Sequence, residues 1–67
     1  MEISARNRLK GKVKGIKLGT IMAEVVVDVN GNEIVAAITR TSAESLALKV
    51  GDEVSAIIKA TEVMIAK

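Results

Sequence analysis

The sequence predicts an all-β fold: a five-stranded barrel with one short helix between strands 3 and 4. Apolar and polar residues alternate with a period of two across Arg8–Lys14 and again across Glu53–Lys59. Asn30-Gly31, the strongest short hairpin signal, joins two stretches rich in β-branched residues. Thr41-Ser42-Ala43-Glu44 places a hydroxyl residue three positions before a glutamate, the spacing of a helix capping box.

In the first strand, Leu9, Gly11 and Val13 alternate with Arg8, Lys10, Lys12 and Lys14, giving one small or apolar face and one cationic face. The next apolar residue, Ile16, breaks the period of two, and a β-bulge at Gly15 restores its inward facing. Lys17-Leu18-Gly19-Thr20 reads as a turn and Ile21–Val29 as the second strand, with Glu33–Thr39 as the return. A two-residue turn at Asn30-Gly31 pairs Val27 with Ile34, Val25 with Ala36 and Ala23 with Ile38 on one apolar face. It also sets Asp28 opposite Glu33, a like-charge pair that favours a longer loop. The opposite face, with Val26 against Val35 and Glu24 against Ala37, is half apolar. A helix from about Ser42 to Leu46 turns Leu46 and Leu48 inward, and Val50-Gly51-Asp52 is a turn. Val54, Ala56 and Ile58 line one side of the fourth strand, Ala60-Thr61 interrupts it, and Val63–Ile65 is a short fifth strand. Five strands with a helix after the third is the order of an OB-fold barrel.

A chain of 67 residues is a single domain, spanning 1–67, and one so small often needs a staple. It has no Cys and no His, which excludes disulfides, zinc fingers and iron–sulfur sites. Association with copies of itself is the staple that remains. Hydrophobic residues make up 49% of the chain without one aromatic, so its core is thin and a second apolar face calls for another subunit. Of the ten cations, Arg6, Arg8, Lys10, Lys12, Lys14 and Lys17 fall within residues 1–20 against Glu2 alone, which suits an anionic partner. No apolar run approaches the roughly 20 residues of a membrane span. The opening residues lack the features of a signal peptide, so the expected location is the cytoplasm, with no membrane partner.

Without His or Cys the usual general bases and nucleophiles are missing, and the eight carboxylates are scattered, so no enzyme is expected. The cationic stripe of the first strand suits phosphates, but single-strand binders of this fold stack bases on aromatic residues, and none exists here. A solvated strand face is the preferred reading, and no nucleic-acid partner is expected. A tetrahedral dianion needs only donors: backbone N–H, hydroxyl, Lys and Arg. Donors gather at three junctions: Ser4-Ala5-Arg6-Asn7, Thr39 to Ser42, and Lys59-Ala60-Thr61. The helix start adds free N–H groups.

The stretch Ile3-Ser4-Ala5-Arg6-Asn7-Arg8-Leu9-Lys10-Gly11 resembles the N-terminal signature of the molbindins, small molybdate-binding proteins of the TOBE type. Val35-Ala36-Ala37-Ile38-Thr39 leading to Ser42, and Ile58-Lys59-Ala60-Thr61-Glu62-Val63-Met64, carry the resemblance to the chain's end. It implies an OB-like subunit in a homohexamer, a trimer of dimers, binding molybdate or tungstate at subunit interfaces for storage or buffering, without a cofactor or a directly coordinated metal. By motif match one site would use Ser4, Ala5, Arg6, Thr39, Ser42, Lys59 and Ala60. Arg6 and Lys59 would balance charge, the three hydroxyls would donate, and Ala5 and Ala60 would offer backbone N–H. A second site would lie around Gly19 and Thr20. Arg40 departs from some relatives, which carry a smaller or acidic residue there.

Overall fold

The computed structural model describes residues 6–67, so Ser4 and Ala5 lie outside the described residues. Four strands form one antiparallel sheet: β1 (Asn7–Leu18), β2 (Met22–Val29), β3 (Asn32–Thr39) and β4 (Glu53–Ile58), in the order β3-β2-β1-β4. Helix α1 (Arg40–Ser45) follows β3, and a 3-10 turn (Ala60–Glu62) follows β4. Among the described residues no helix is long and apolar enough to cross a membrane.

The sheet is organised by β1, which serves two ladders. Its first half pairs with β4, from Asn7 against Ile58 to Lys12 against Glu53. Its second half pairs with β2, from Lys12 against Asp28 to Leu18 against Ala23. The register slips between Val13 and Gly15, so the bulge expected at Gly15 is present and sits just after the exchange of partners. A bulge adds one residue on one side, bends the strand and increases its twist. Because the bend restores the alternation, β1 runs on to Leu18 instead of stopping before a turn at Lys17, and the turn is displaced to Gly19–Ile21.

At the bulge, Val13 donates its N–H to Asp52 O (2.9 Å) and accepts from Gly51 N (2.8 Å). The Val50-Gly51 turn is thereby fastened to the bend. Asp52 closes that turn by accepting Lys49 N–H on its carboxylate at 3.0 Å. Gly51 sits at φ +97°, a left-handed conformation that side chains disfavour.

The β2–β3 register runs from Val29 against Asn32 to Met22 against Thr39, as the hairpin signal predicts. Asn30 and Gly31 have φ of 51° and 88°, both positive as a type I′ turn requires. The like-charge pair does not lengthen the loop, because each carboxylate finds its own partner. Asp28 Oδ1 accepts Gly31 N–H at 3.1 Å, and Glu33 Oε2 accepts from Lys14 Nζ at 2.9 Å. Lys14 is the residue the bulge leaves without a cross-strand partner. The hydrogen bond to Glu33 and that carboxylate's charge raise the Lys14 pKa above its ordinary 10.5.

The core is thin, as a chain without aromatics dictates. Val13, Val25 and Val27 are its fully buried centre, with Ile16, Ile34, Ile38, Leu48 and Val54 packed around them. A buried side chain of this class contributes about 1.5–3 kcal/mol. On the outer face Val35 remains 60% exposed.

Three expectations are corrected. The helix spans Arg40–Ser45, two residues earlier than expected, because Thr39 caps it where the β3 ladder ends. Its C-terminus closes with Ala47 N–H on Glu44 O and Leu48 N–H on Ala43 O, with Ala47 left-handed at φ 50°. That reversal carries Leu48 onto the core and leaves Leu46, expected inside, 65% exposed. Val63–Ile65 forms no fifth strand: a strand needs a ladder partner, and here Met64 and Ile65 are 93% and 90% exposed. The sheet therefore has four strands, with an open cleft of about 560 Å³ between the β3 and β4 edges.

At Gly11, β1 passes close over β2. A Cβ there would collide with the Asp28 carbonyl oxygen and lie 2.8 Å from Val27 Cγ1. Gly11→Ala is expected to destabilise by about 1–3 kcal/mol in urea unfolding. Gly15→Ala, whose Cβ meets nothing within 4 Å, should change stability by less than about 0.5 kcal/mol. The Lys14–Glu33 pair has a folded pKa above the unfolded one for lysine, so its stabilisation is complete below pH 10.5 and is lost as pH rises through the folded value. Lys14→Ala should therefore lower the melting temperature slightly at neutral pH and low salt, and the difference from the native chain should vanish in strong alkali.

Candidate functional site

The β3–α1 junction brings two candidate donors into contact. Thr39 is extended (φ −71°, ψ 149°) and ends the ladder opposite Met22. Its Oγ1 accepts Ser42 N–H at 3.0 Å, which caps the helix, and lies 2.7 Å from Ser42 Oγ. Two hydroxyls that share one hydrogen bond have one proton between them left to give. Donating from Thr39 to Ser42 leaves the Ser42 proton pointing outward, and the donated bond polarises that hydroxyl as a donor. Both residues are exposed. Glu44, expected as the capping-box partner, instead lies 3.8 Å from Arg40 Nε.

The second group of donors stands at the open end of the β1–β4 ladder. Asn7 pairs with Ile58, and Asn7 Nδ2 donates to Ile58 O at 3.0 Å. This bond ties the two strand ends, so Arg6 and Lys59, the next residues outward on each strand, flank the same corner. Ala60 opens the 3-10 turn, which closes with Glu62 N–H on Lys59 O at 2.9 Å. Arg6, Lys59 and Ala60 are all exposed. Glu62 is the one carboxylate beside Lys59 in the lining of the β3–β4 cleft.

The Gly19–Ile21 turn is more committed than its sequence suggests. Gly19 N–H already donates to Met22 O at 2.7 Å, and Gly19 O accepts from Arg40 Nη1 at 3.2 Å. The one backbone donor of Gly19 is thus already committed, so of the pair expected there Thr20 is the one left with a donor among the described residues. A Cβ at Gly19 would lie 2.9 Å from Met22 O, which accounts for the glycine. In the sequence Arg40 stands out only as a departure from some relatives. Its partner lies 21 residues away and no local pattern announces it.

Within one chain the structure thus builds two donor corners. Thr39 meets Ser42, and Arg6 and Lys59 lie just beyond the paired ends of β1 and β4. Among the described residues no hydrogen bond or ion pair joins one corner to the other, because β3 and β4 are opposite edges of the sheet. Ile38, next to the first corner, and Lys59 of the second both line the cleft between those edges. No three acidic side chains cluster among the described residues.

Such an arrangement, a small curled sheet with cationic and hydroxyl donors at its exposed corners, defines a binding module. A TOBE domain matches residues 3–65. The chain is 54% identical over 66 residues to molybdenum-pterin-binding protein 1 of Clostridium pasteurianum, covering 97% of each. Among solved structures it is similar to a molybdate binding protein from Sporomusa ovata, with a TM-score of 0.95 and 51% identity over the whole of both chains. It also matches the cytoplasmic molybdate-binding protein ModG with molybdate bound, with a TM-score of 0.83 and 43% identity, covering 90% of this chain and 43% of that one. The chain belongs to the TOBE domain family, among the molbindins. Its family is one of small binding modules, not of enzymes.

Thr39→Val removes the cap and the shared hydroxyl bond together. It is expected to cost about 1 kcal/mol of stability in thermal unfolding, while Thr39→Ser should cost much less.

Proposed function

We propose that this chain binds tetrahedral metal oxyanions, molybdate above all and tungstate with it, at interfaces between copies of itself. What carries the reading is the whole-length similarity to a molybdate binding protein. The geometry supports it. Each candidate donor corner is incomplete alone, and a second subunit can set the Arg6–Lys59 corner of one chain against the Thr39–Ser42 corner of another. Ser4 and Ala5, which precede Arg6, would add a hydroxyl and an N–H to the first of these. Arg6 and Lys59 would balance the charge, and Ala60 would donate through its backbone. Thr20 would serve a second site, with Gly19 holding the turn.

The same assembly accounts for the apolar surface left over. The exposed Met64 and Ile65 would be covered by a neighbouring copy. The outer face around Val26 and Val35 would be covered in a homohexamer. The role proposed is intracellular storage or buffering of the oxyanion, with neither catalysis nor a cofactor.

Selectivity follows from proton bookkeeping. Phosphate at neutral pH carries a proton, and a pocket of donors has nothing to accept it; sulfate has the right charge but is smaller, so a rigid interface leaves donors too far from oxygen. A donor left unpaired in a buried site costs about 1–3 kcal/mol.

Isothermal titration calorimetry tests this directly. Molybdate and tungstate should bind with similar, saturable heats, and sulfate and phosphate at the same ionic strength should give little. Equal heats from all four anions would sink the pocket. Arg6→Ala should weaken binding by about 1.5–3 kcal/mol, the worth of a charge-assisted bond, and Lys14→Ala, whose ammonium is held by Glu33, should matter little.

A further inference from the structure

Of the chain's asparagines, Asn30 alone is followed by a glycine; Asn7 precedes Arg8 and Asn32 precedes Glu33. A backbone nitrogen can attack the side-chain carbonyl of the asparagine before it, and a side chain on the attacking residue hinders the approach. Gly31 has none, and a Cβ built there would meet nothing within 4 Å, so the space around it is open. Both residues are exposed at the tip of the β2–β3 hairpin. One contact stands against the attack: Gly31 N–H donates to Asp28 Oδ1 at 3.1 Å. The nitrogen must lose that proton before it can attack, and an amide anion facing a carboxylate is a like-charge pair, which disfavours its formation.

We propose that Asn30 is a modification site, at which the chain converts its own asparagine to aspartate or isoaspartate, and that the Asp28 carboxylate restrains the conversion by holding Gly31 N–H. Solvent hydroxide takes the Gly31 proton, and the nitrogen forms a bond to Asn30 Cγ. The Cγ–Nδ2 bond breaks, and Nδ2 leaves as ammonia with a proton returned by water. Water then opens the resulting succinimide ring at either carbonyl. One opening gives aspartate; the other gives isoaspartate, whose backbone runs through the former side chain. The sum is one water consumed and one ammonia released, with no change of oxidation state. Either product brings a further carboxylate to the hairpin end, where Asp28 already stands opposite Glu33 and Lys14 holds Glu33. Like charges facing each other across strands are destabilising. Isoaspartate also adds a backbone carbon to a turn whose two-residue length sets the β2–β3 register, as far as Met22 against the helix cap Thr39. The conversion therefore loosens the hairpin from its tip.

The test is incubation of the full chain at fixed pH and temperature, followed by peptide mass spectrometry, with isoaspartate separated from aspartate by chromatography. The native chain should gain the mass of an amide-to-acid exchange at Asn30, ahead of Asn7 and Asn32, with both products present. Asp28→Ala should raise the rate about 10-fold, the rate equivalent of a hydrogen bond to a charged group. Asp28→Asn, which keeps a carbonyl acceptor without the charge, should fall between the two. In urea sufficient to unfold the chain the three rates should converge, because the hold on Gly31 exists only in the folded turn. Asn30→Gln should abolish the gain at this position. Conversion led by Asn7 or Asn32, or none at Asn30 in either the native chain or Asp28→Ala, would overturn the site. An Asp28→Ala rate equal to the native one, or a difference that survives in urea, would overturn the restraint. If Asp28→Ala does not fold, as judged by its far-ultraviolet spectrum, Asp28→Asn decides, and it must convert faster than the native chain.

Discussion

The bend in β1 is the constraint on which the rest of the fold depends. The single twelve-residue strand β1 holds β4 along its first half and β2 along its second, one on each edge. The slip between Val13 and Gly15 supplies the bend, and the backbone of Val13 spends both polar groups on the Gly51–Asp52 turn at that point. Gly11, two residues earlier, removes the side chain that would keep β1 off the Asp28 carbonyl. Lys14, which the slip leaves unpaired, reaches Glu33 and relieves the charge conflict at the end of the β2–β3 hairpin. One backbone irregularity thus bends the strand, anchors a distant turn and settles an electrostatic conflict two strands away.

The binding chemistry is arranged by the same geometry. Bending β1 keeps β3 and β4 as opposite edges facing across an apolar cleft, and the donors cluster where the edges end. Each corner is organised by a side-chain-to-backbone bond: the Thr39 cap at one, the Asn7–Ile58 tie at the other. Donors held in place in advance would lose less conformational freedom on taking up any ligand.

Local signals were legible wherever the chemistry is local. Asn30-Gly31 fixed the whole β2–β3 register because a two-residue turn admits one pairing, and the broken period before Ile16 located the bulge. The helix start is ambiguous in the sequence because Thr39, Thr41 and Ser42 are all competent caps, and only the end of the β3 ladder at Met22 selects Thr39. Val63–Ile65 has strand-like composition, but composition cannot provide a neighbouring edge. The donor residues of the β3–α1 junction could be named from their types, whereas the shared proton of Thr39 and Ser42 and the grip of Arg40 on Gly19 are contacts through space. No periodicity encodes them.

The Asn7–Ile58 tie also orders events in time. It links positions 51 residues apart, whereas the β2–β3 hairpin closes over a two-residue turn. Local hairpins form in about 1–10 μs, while distant pairings must first meet the entropy of closing a long loop. During synthesis the first half of β1 therefore waits, with its lysines solvated, until β4 has left the ribosome. The corner at Arg6 and Lys59 is the last part of the sheet to be completed, so a truncated chain would carry a finished hairpin and no finished cationic corner.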